Sequence, residues 1–181
     1  MRVAVVTVSD RAADLEREDV SGPGVVRLVE ARLGDVVETA VVPDELTAIG
    51  ATLVRLVDEA DLDLVLTTGG TGVAPRDITP EATRAVIDRD VPGVVELMRL
   101  EGYRHTPLAF ISRAVCGIRG RSVILNLPGS PKGAVESLEA VLPLLAHLIA
   151  KVRGDAGDCH RPASGHDGHE HPIALTSSHD R

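Results

Sequence analysis

The sequence predicts an α/β fold: three layers, a mostly parallel sheet with an antiparallel edge hairpin, and helices on both faces. Three observations lead there. β-Branched runs of buried-strand character alternate with segments of helical apolar spacing, the pattern of βαβ units. Two strand-like runs late in the chain follow one another across Arg119-Gly120 with no helix between them, the pattern of a hairpin. The 181 residues, 44% hydrophobic and 25% charged, suffice for one core with a solvated surface and exclude wholesale disorder.

The elements follow in order. Residues 2–8, RVAVVTV, read as a buried first strand. After a polar segment and SGPG, Val25, Leu28, Val29 and Leu33 stand at helical spacing, with Ser21 as the expected N-cap and Gly34 as the stop. Residues 36–42 make a second strand, broken by Pro43-Asp44-Glu45. Leu46, Ile49, Leu53, Leu56 and Val57 mark a second helix face. A third strand, 63–67, runs into the glycine-rich stretch TTGGTG at 67–72. Thr79 as N-cap and Pro80 at the first position open a helix to about Arg89, and Pro92 opens another to about Leu100. FISRAVCGI and RSVILNL, within 110–127, supply the hairpin. Pro131 starts a long final helix with Leu138, Leu142, Leu145 and Ile149 on one side and a kink expected at Pro143. Residues 1–153 read as one domain and 154–181, polar and with five of the seven histidines, as a disordered tail.

Composition excludes several functions. One Tyr, one Phe and no Trp leave no aromatic platform for stacking bases, and a net charge of −8 disfavours a nucleic-acid partner. No run is read as a membrane span, and the N-terminus is read as a strand, not a signal peptide. Two cysteines make no disulfide framework, so a cytoplasmic setting is expected. Cys159, His160, His166, His169 and His171 suit loose Zn²⁺ or Ni²⁺ binding, but without fixed geometry they read better as a polar tail.

In a parallel sheet, ligands bind at the carboxyl ends of the strands. Both glycine-rich segments, TTGGTG and NLPGSPK, directly follow strands and therefore share that rim. The glycines at 69, 70 and 72 allow close backbone approach to an anion, and the helix opening at Thr79 adds its N-terminus. The GK[ST] ending of a P-loop and the GxGxxG spacing are both absent. Asp77 beside such a site implies a cation between it and the anion, which points to Mg²⁺; the alternative is an Asx-turn ahead of Thr79. Asp44 is either an N-cap of the following helix or a second carboxylate on the same rim, sharing the metal or orienting a ligand. Gly129 and Ser130 present N–H groups at a helix start, and Lys132 supplies a point charge; the alternative is a turn with a solvated lysine. Arg113 is the arginine expected to face the cleft. Ser9-Asp10-Arg11 either lines the rim or forms a turn.

TVSDR at 7–11, PDE at 43–45, LTTGGTGVAPRDITPEAT at 66–83, PGVVE at 92–96, ISRAVCGIRG at 111–120 and NLPGSPK at 126–132 together resemble the molybdopterin-binding family of molybdenum-cofactor biosynthesis. Its members include bacterial molybdopterin adenylyltransferases and the N-terminal domain of gephyrin, and the resemblance covers about residues 1–152. It implies a homotrimeric nucleotidyltransferase that converts ATP and molybdopterin to adenylyl-molybdopterin and pyrophosphate with Mg²⁺, with hand-off of the product to the molybdenum-insertion enzyme. The family's two aspartates fall on Asp44 and Asp77, as catalytic and metal-binding residues. Its substrate-binding segments fall on Thr68, Gly69, Gly70, Thr71 and Gly72, and on Pro128, Gly129, Ser130 and Pro131; Arg113 and Lys132 complete the expected set. A non-catalytic carrier or scaffold of molybdopterin is the alternative. The related domains attached to nicotinamide-nucleotide deamidases are a more distant one, disfavoured by the missing second domain.

Overall fold

A computed structural model of the chain describes residues 1–14 and 18–155. Six strands form one sheet in the order β2-β1-β3-β6-β5-β4. Strands β1 (Arg2–Val8), β2 (Asp35–Val42), β3 (Leu64–Thr68) and β6 (Ser122–Leu127) are mutually parallel. The expected hairpin is β5 (Cys116–Arg119) with β6, but its inner strand is a central member of the parallel set. The edge beyond β5 is a two-residue strand, β4 (Arg89–Asp90), that the sequence reading did not contain.

Alternation along the strands sorts the core into two layers. Val3, Val5, Leu64, Leu66, Val123 and Leu125 face α2 (Gly22–Arg32), α5 (Pro92–Tyr103) and α6 (Pro131–Val152). Ala4, Val6, Val8, Val65 and Ile124 face α3 (Leu46–Asp58) and α4 (Thr79–Val86). The central strands are buried on both faces, which is why they read as largely apolar runs. Cys116 lies unpaired inside, and burial pushes its thiol up to about 12, leaving it a small inert hydrophobe.

Several local expectations change. Ser21 sits at the N-cap of α2 without a side-chain cap bond. Asp19 replaces it: its Oδ1 accepts from the Ser21 and Gly22 amides at 3.0 Å, and its Oδ2 accepts from Thr7 Oγ1 at 2.6 Å. Thr79 is the first residue of α4, not its cap, and the helix stops at Val86 because the Asp88 amide and then β4 pair with β5. Residues 107–111 form a short 3₁₀ helix opened by Pro107 and capped by the Thr106 hydroxyl, so the strand begins only at Cys116. A four-residue helix, α1 (Asp10–Ala13), follows β1 within the polar segment, to which the sequence reading gave no helix. Pro143 lies inside α6 without ending it. With 22 residues and high mean hydropathy, α6 also has the length and composition of a membrane span, contrary to the sequence reading. Its apolar side is the core side, however, with Leu138, Val141, Leu145 and Ile149 buried. The histidine-rich stretch and Cys159 lie outside the described residues.

A buried polar network ties the rim together. Asn126 on β6 donates from Nδ2 to Thr67 Oγ1 at 3.0 Å and to Thr83 Oγ1 at 2.9 Å, and its Oδ1 accepts from the Val115 amide at 3.1 Å. One side chain thus links β3, α4 and the strand-entry segment of β5. Replacing Asn126 by Ala orphans the Val115 amide inside a cavity and removes the partner of both threonine hydroxyls. We expect a loss of about 3 kcal/mol of unfolding free energy, measured by urea denaturation.

Candidate active site at the carboxyl rim of the sheet

The chain leaves β3 through Gly69 and Gly70, whose φ angles of +108° and +61° L side chains rarely adopt. A Cβ on Gly70 would lie 2.3 Å from Thr79 Oγ1 and 3.0 Å from Asp44 Oδ1. Thr79 Oγ1 donates to the Gly69 carbonyl at 3.0 Å, and its amide donates to the Gly70 carbonyl at 3.2 Å, so the start of α4 holds the turn. Thr68 Oγ1 donates to the Pro128 carbonyl at 2.8 Å. A Cβ on Gly129 would stand 3.2 Å from Gly69 Cα. The two glycine-rich segments therefore touch, as their shared rim requires.

Asp44 and Asp77 stand on either side of this turn. Asp44 is not an N-cap of α3; Glu45 occupies that position, without a cap bond. Instead Asp44 Oδ2 accepts from the Asp10 amide at 3.0 Å, while Asp10 Oδ1 accepts from the Asp44 amide at 2.9 Å. Arg76 clamps this pair, donating to both Asp10 oxygens at 2.6 and 2.8 Å and to the Asp44 carbonyl at 3.2 Å. Asp77 Oδ2 accepts from the Ala74 amide at 2.7 Å, a bond back across the loop and not the Asx-turn toward Thr79. Each carboxylate keeps its Oδ1 without a hydrogen-bond partner among the described residues. Burial raises the Asp44 carboxyl above its ordinary value, with Asp10 and Asp77 adding repulsion. The hydrogen bond from Arg76 instead lowers Asp10.

Arg113 does not offer its donors to the cleft. Its Nε donates to the Gly72 carbonyl at 2.6 Å, Nη1 to Glu81 Oε1 at 2.5 Å and Nη2 to the Asp77 carbonyl, while its amide donates to the Thr71 carbonyl at 2.9 Å. It braces the far leg of the loop. Lys132, expected to reach an anion, is highly exposed and lies 3.6 Å from Glu136 Oε1, lining neither chamber of the site.

Two chambers meet at the turn. The larger, about 450 Å³, is lined by Gly70, Thr71, Gly72, Pro128, Gly129 and Ser130 together with aliphatic residues of α5 and the 3₁₀ helix. The smaller, about 250 Å³, is polar and lined by Thr7, Ser9, Asp19, Asp44, Thr68 and Gly69 among others. Gly70, Asp77 and Gly129 line both. Ser9 thus lines the rim, while Asp10 and Arg76 supply the frame. Neither Asp10 nor Arg76 had a distinguishing sequence signal beyond its motif, because their partners lie 34 and 66 residues away along the chain.

No cluster of three or more His, Cys, Asp or Glu among the described residues forms a metal cage. Asp44 and Asp77 keep open oxygens beside a small chamber that Glu18 and Asp19 also line, and this acidic oxygen set fits Mg²⁺, a hard cation that would take the rest of its shell from phosphate and water.

The chain matches the family model described as a probable molybdopterin binding domain over residues 4–147. The chain belongs to the molybdopterin-binding family. It is 41% identical to a molybdopterin adenylyltransferase of Helicobacter pylori strain J99 over 157 residues, covering 86% of this chain and 89% of that one. The Escherichia coli K12 molybdopterin adenylyltransferase is 46% identical over 143 residues, 78% of this chain and 73% of that one. Among solved structures, the molybdopterin biosynthesis enzyme MoaB of Thermus thermophilus superposes with a TM-score of 0.81 at 53% identity, covering 84% of this chain and 96% of that one.

In this member of the molybdopterin-binding family the raised Asp44 carboxyl has a cost in stability. Because its folded-state value lies above the unfolded one, the folded chain binds more protons across the window between the two, and stability falls as pH rises through it. Asp44→Asn keeps an acceptor for the Asp10 amide without the charge. In the absence of magnesium and nucleotide, it is expected to melt higher than wild type at pH 7, with the difference vanishing as pH falls into the ordinary carboxylate range. Thermal melts across pH test this.

Proposed function

We infer that this chain adenylylates molybdopterin with ATP, releasing pyrophosphate. The observation that carries the reading is the pair of chambers joined at Gly70, Asp77 and Gly129. A two-substrate anion transfer needs both phosphates brought to one point, and these two cavities share only the glycine turn and one carboxylate. A terminal oxygen of the molybdopterin phosphate attacks the α-phosphorus of ATP, a new P–O–P bond forms, and the bond to the β-phosphate oxygen breaks, so that pyrophosphate leaves with the electron pair. No protein nucleophile is needed, and positioning with charge stabilisation does most of the work.

We assign Asp44 and Asp77 the catalytic and metal-binding roles. Their open Oδ1 atoms would hold Mg²⁺, which supplies neutralisation of the phosphate charges when bound. The amides of Gly70, Thr71 and Gly72 and of Gly129 and Ser130 would cradle phosphate, with Thr68, Pro128 and Gly69, whose amide donates to the Leu127 carbonyl at 3.3 Å, shaping the backbone around it. Arg113 acts by fixing the loop rather than by touching substrate, and Lys132 acts at most at the chamber mouth. The exposed Leu100 and Phe110, and Val37 and Val41 on edge strand β2, support self-assembly, which we read as a homotrimer. The unpaired Cys116 supports a cytoplasmic setting, and release of adenylyl-molybdopterin suits hand-off to a metal-insertion enzyme. We retain 1–153 as the working domain and 154–181 as an appended tail.

Pyrophosphate release from Mg-ATP should depend on molybdopterin, and Asp77→Asn should reduce it by about 100-fold while leaving the melting temperature near wild type. Molybdopterin binding with no pyrophosphate in the wild type would instead make the protein a carrier.

A further inference from the structure

The larger chamber holds a side chain for which the reaction outlined above has no role. Its long walls are aliphatic: Val95 and Met98 on α5, and Leu108, Ala109 and Ile111 on the 3₁₀ helix. Such walls suit a flat ring. Two carboxylates line this slot, Asp77 at the turn and Glu136 on α6. Glu136 stands five residues beyond Pro131, about 7.5 Å along the helix axis from the start of α6. It is 28% exposed. Lys132 Nζ lies 3.6 Å and His105 Nδ1 3.9 Å from Oε1, both beyond hydrogen-bond distance. Glu136 accepts no hydrogen bond among the described residues, so its lone pairs are open to a ligand. The slot's arginine, Arg99, is committed to backbone: its Nε donates to the Ser112 carbonyl at 3.0 Å and its Nη2 to that of Ala114 at 3.4 Å.

The chemistry of the two substrates separates on this carboxylate. A pterin presents its 2-amino N–H and its N3–H side by side, two parallel donors that one carboxylate accepts as a fork. Adenine has no such pair, since its 6-amino donor is flanked by ring-nitrogen acceptors that repel a carboxylate. We propose that Glu136 is the specificity residue that reads the 2-amino-4-oxo edge of the pterin, placing the pterin in the larger chamber and the nucleotide in the polar one. Lys132 and His105 both stand near Oε1, beyond hydrogen-bond distance. The proposal rests on the adenylylation reading for the identity of the ring.

The test is a binding experiment on the full chain with two fluorescent probes: 6-hydroxymethylpterin monophosphate, and the matching lumazine phosphate, in which an oxygen replaces the 2-amino group. Wild type should prefer the pterin by roughly ten- to hundredfold, because the lumazine turns a carbonyl toward Glu136. Glu136→Gln should lose that preference and weaken the pterin by a similar factor, while the dissociation constant of a non-hydrolysable ATP analogue stays the same. Glu136→Asp, which keeps the charge one methylene short, should still prefer the pterin at lower affinity. Retained preference in Glu136→Gln overturns the assignment while leaving pterin binding intact. Loss of ATP-analogue affinity in its place assigns the chamber to the nucleotide and overturns the assignment as well. A wild type that binds neither probe, and releases no pyrophosphate with molybdopterin, removes the adenylylation reading and the proposal with it.

Discussion

Gly69 carries β3 out of the sheet at a φ of +108°, and a Cβ there would lie 2.2 Å from the carbonyl oxygen of Val8 on β1. That close approach sets the geometry of the whole rim. β3 is flanked by β1 and β6, so its exit must pass between the loops of both neighbours. Only a backbone without side chains passes there, and the same bareness exposes amides to a ligand. Gly129 answers from the β6 side, and Asp44 approaches Gly70 from the β2 side. The turn is thus at once a packing solution and the junction of two chambers.

A glycine turn alone is too pliant to hold two carboxylates in register. The structure holds it with two arginines, one on each leg. Arg76 joins the turn to the ends of β1 and β2 through Asp10 and the Asp44 backbone. Arg113 ties Gly72 and Asp77 to Glu81 on α4. These contacts are bidentate or multidentate, which a lysine does not reproduce. They are also partly solvent-exposed, so their value lies in geometry more than in net stability. Asp44 carries the opposite balance: its burial and its acidic neighbours are destabilising, and a cation with phosphate would relieve that repulsion.

Much of the fold was legible because central parallel strands are apolar on both faces and the helices carry clear apolar stripes, as in Leu53-Leu56-Val57 and Leu138-Leu142-Leu145. What escaped depended on long-range partners. β4 exists only because Cys116 and Ile118 offer it an edge, and two residues carry no periodicity. Asp19 displaced Ser21 as the α2 cap because Thr7 on β1 fixes its orientation. Phe110 and Ile111 have strand-forming side chains, yet Pro107 and the Thr106 cap commit them to a 3₁₀ turn. At the site, the glycine segments and both aspartates were legible as motifs. The brace role of Arg113 was not, since an arginine near a glycine loop looks the same whether it binds the loop's carbonyls or a ligand. Glu136 was hidden for a related reason: one carboxylate on an amphipathic helix reads as surface until the chamber beside it is known.

The most direct test of the account is a crystal structure of the chain with adenylyl-molybdopterin bound. The account predicts one ligand spanning both chambers, its bridging phosphates against the 69–72 turn and between Asp44 and Asp77. A ligand confined to one chamber, or phosphates lying away from that turn, would contradict it.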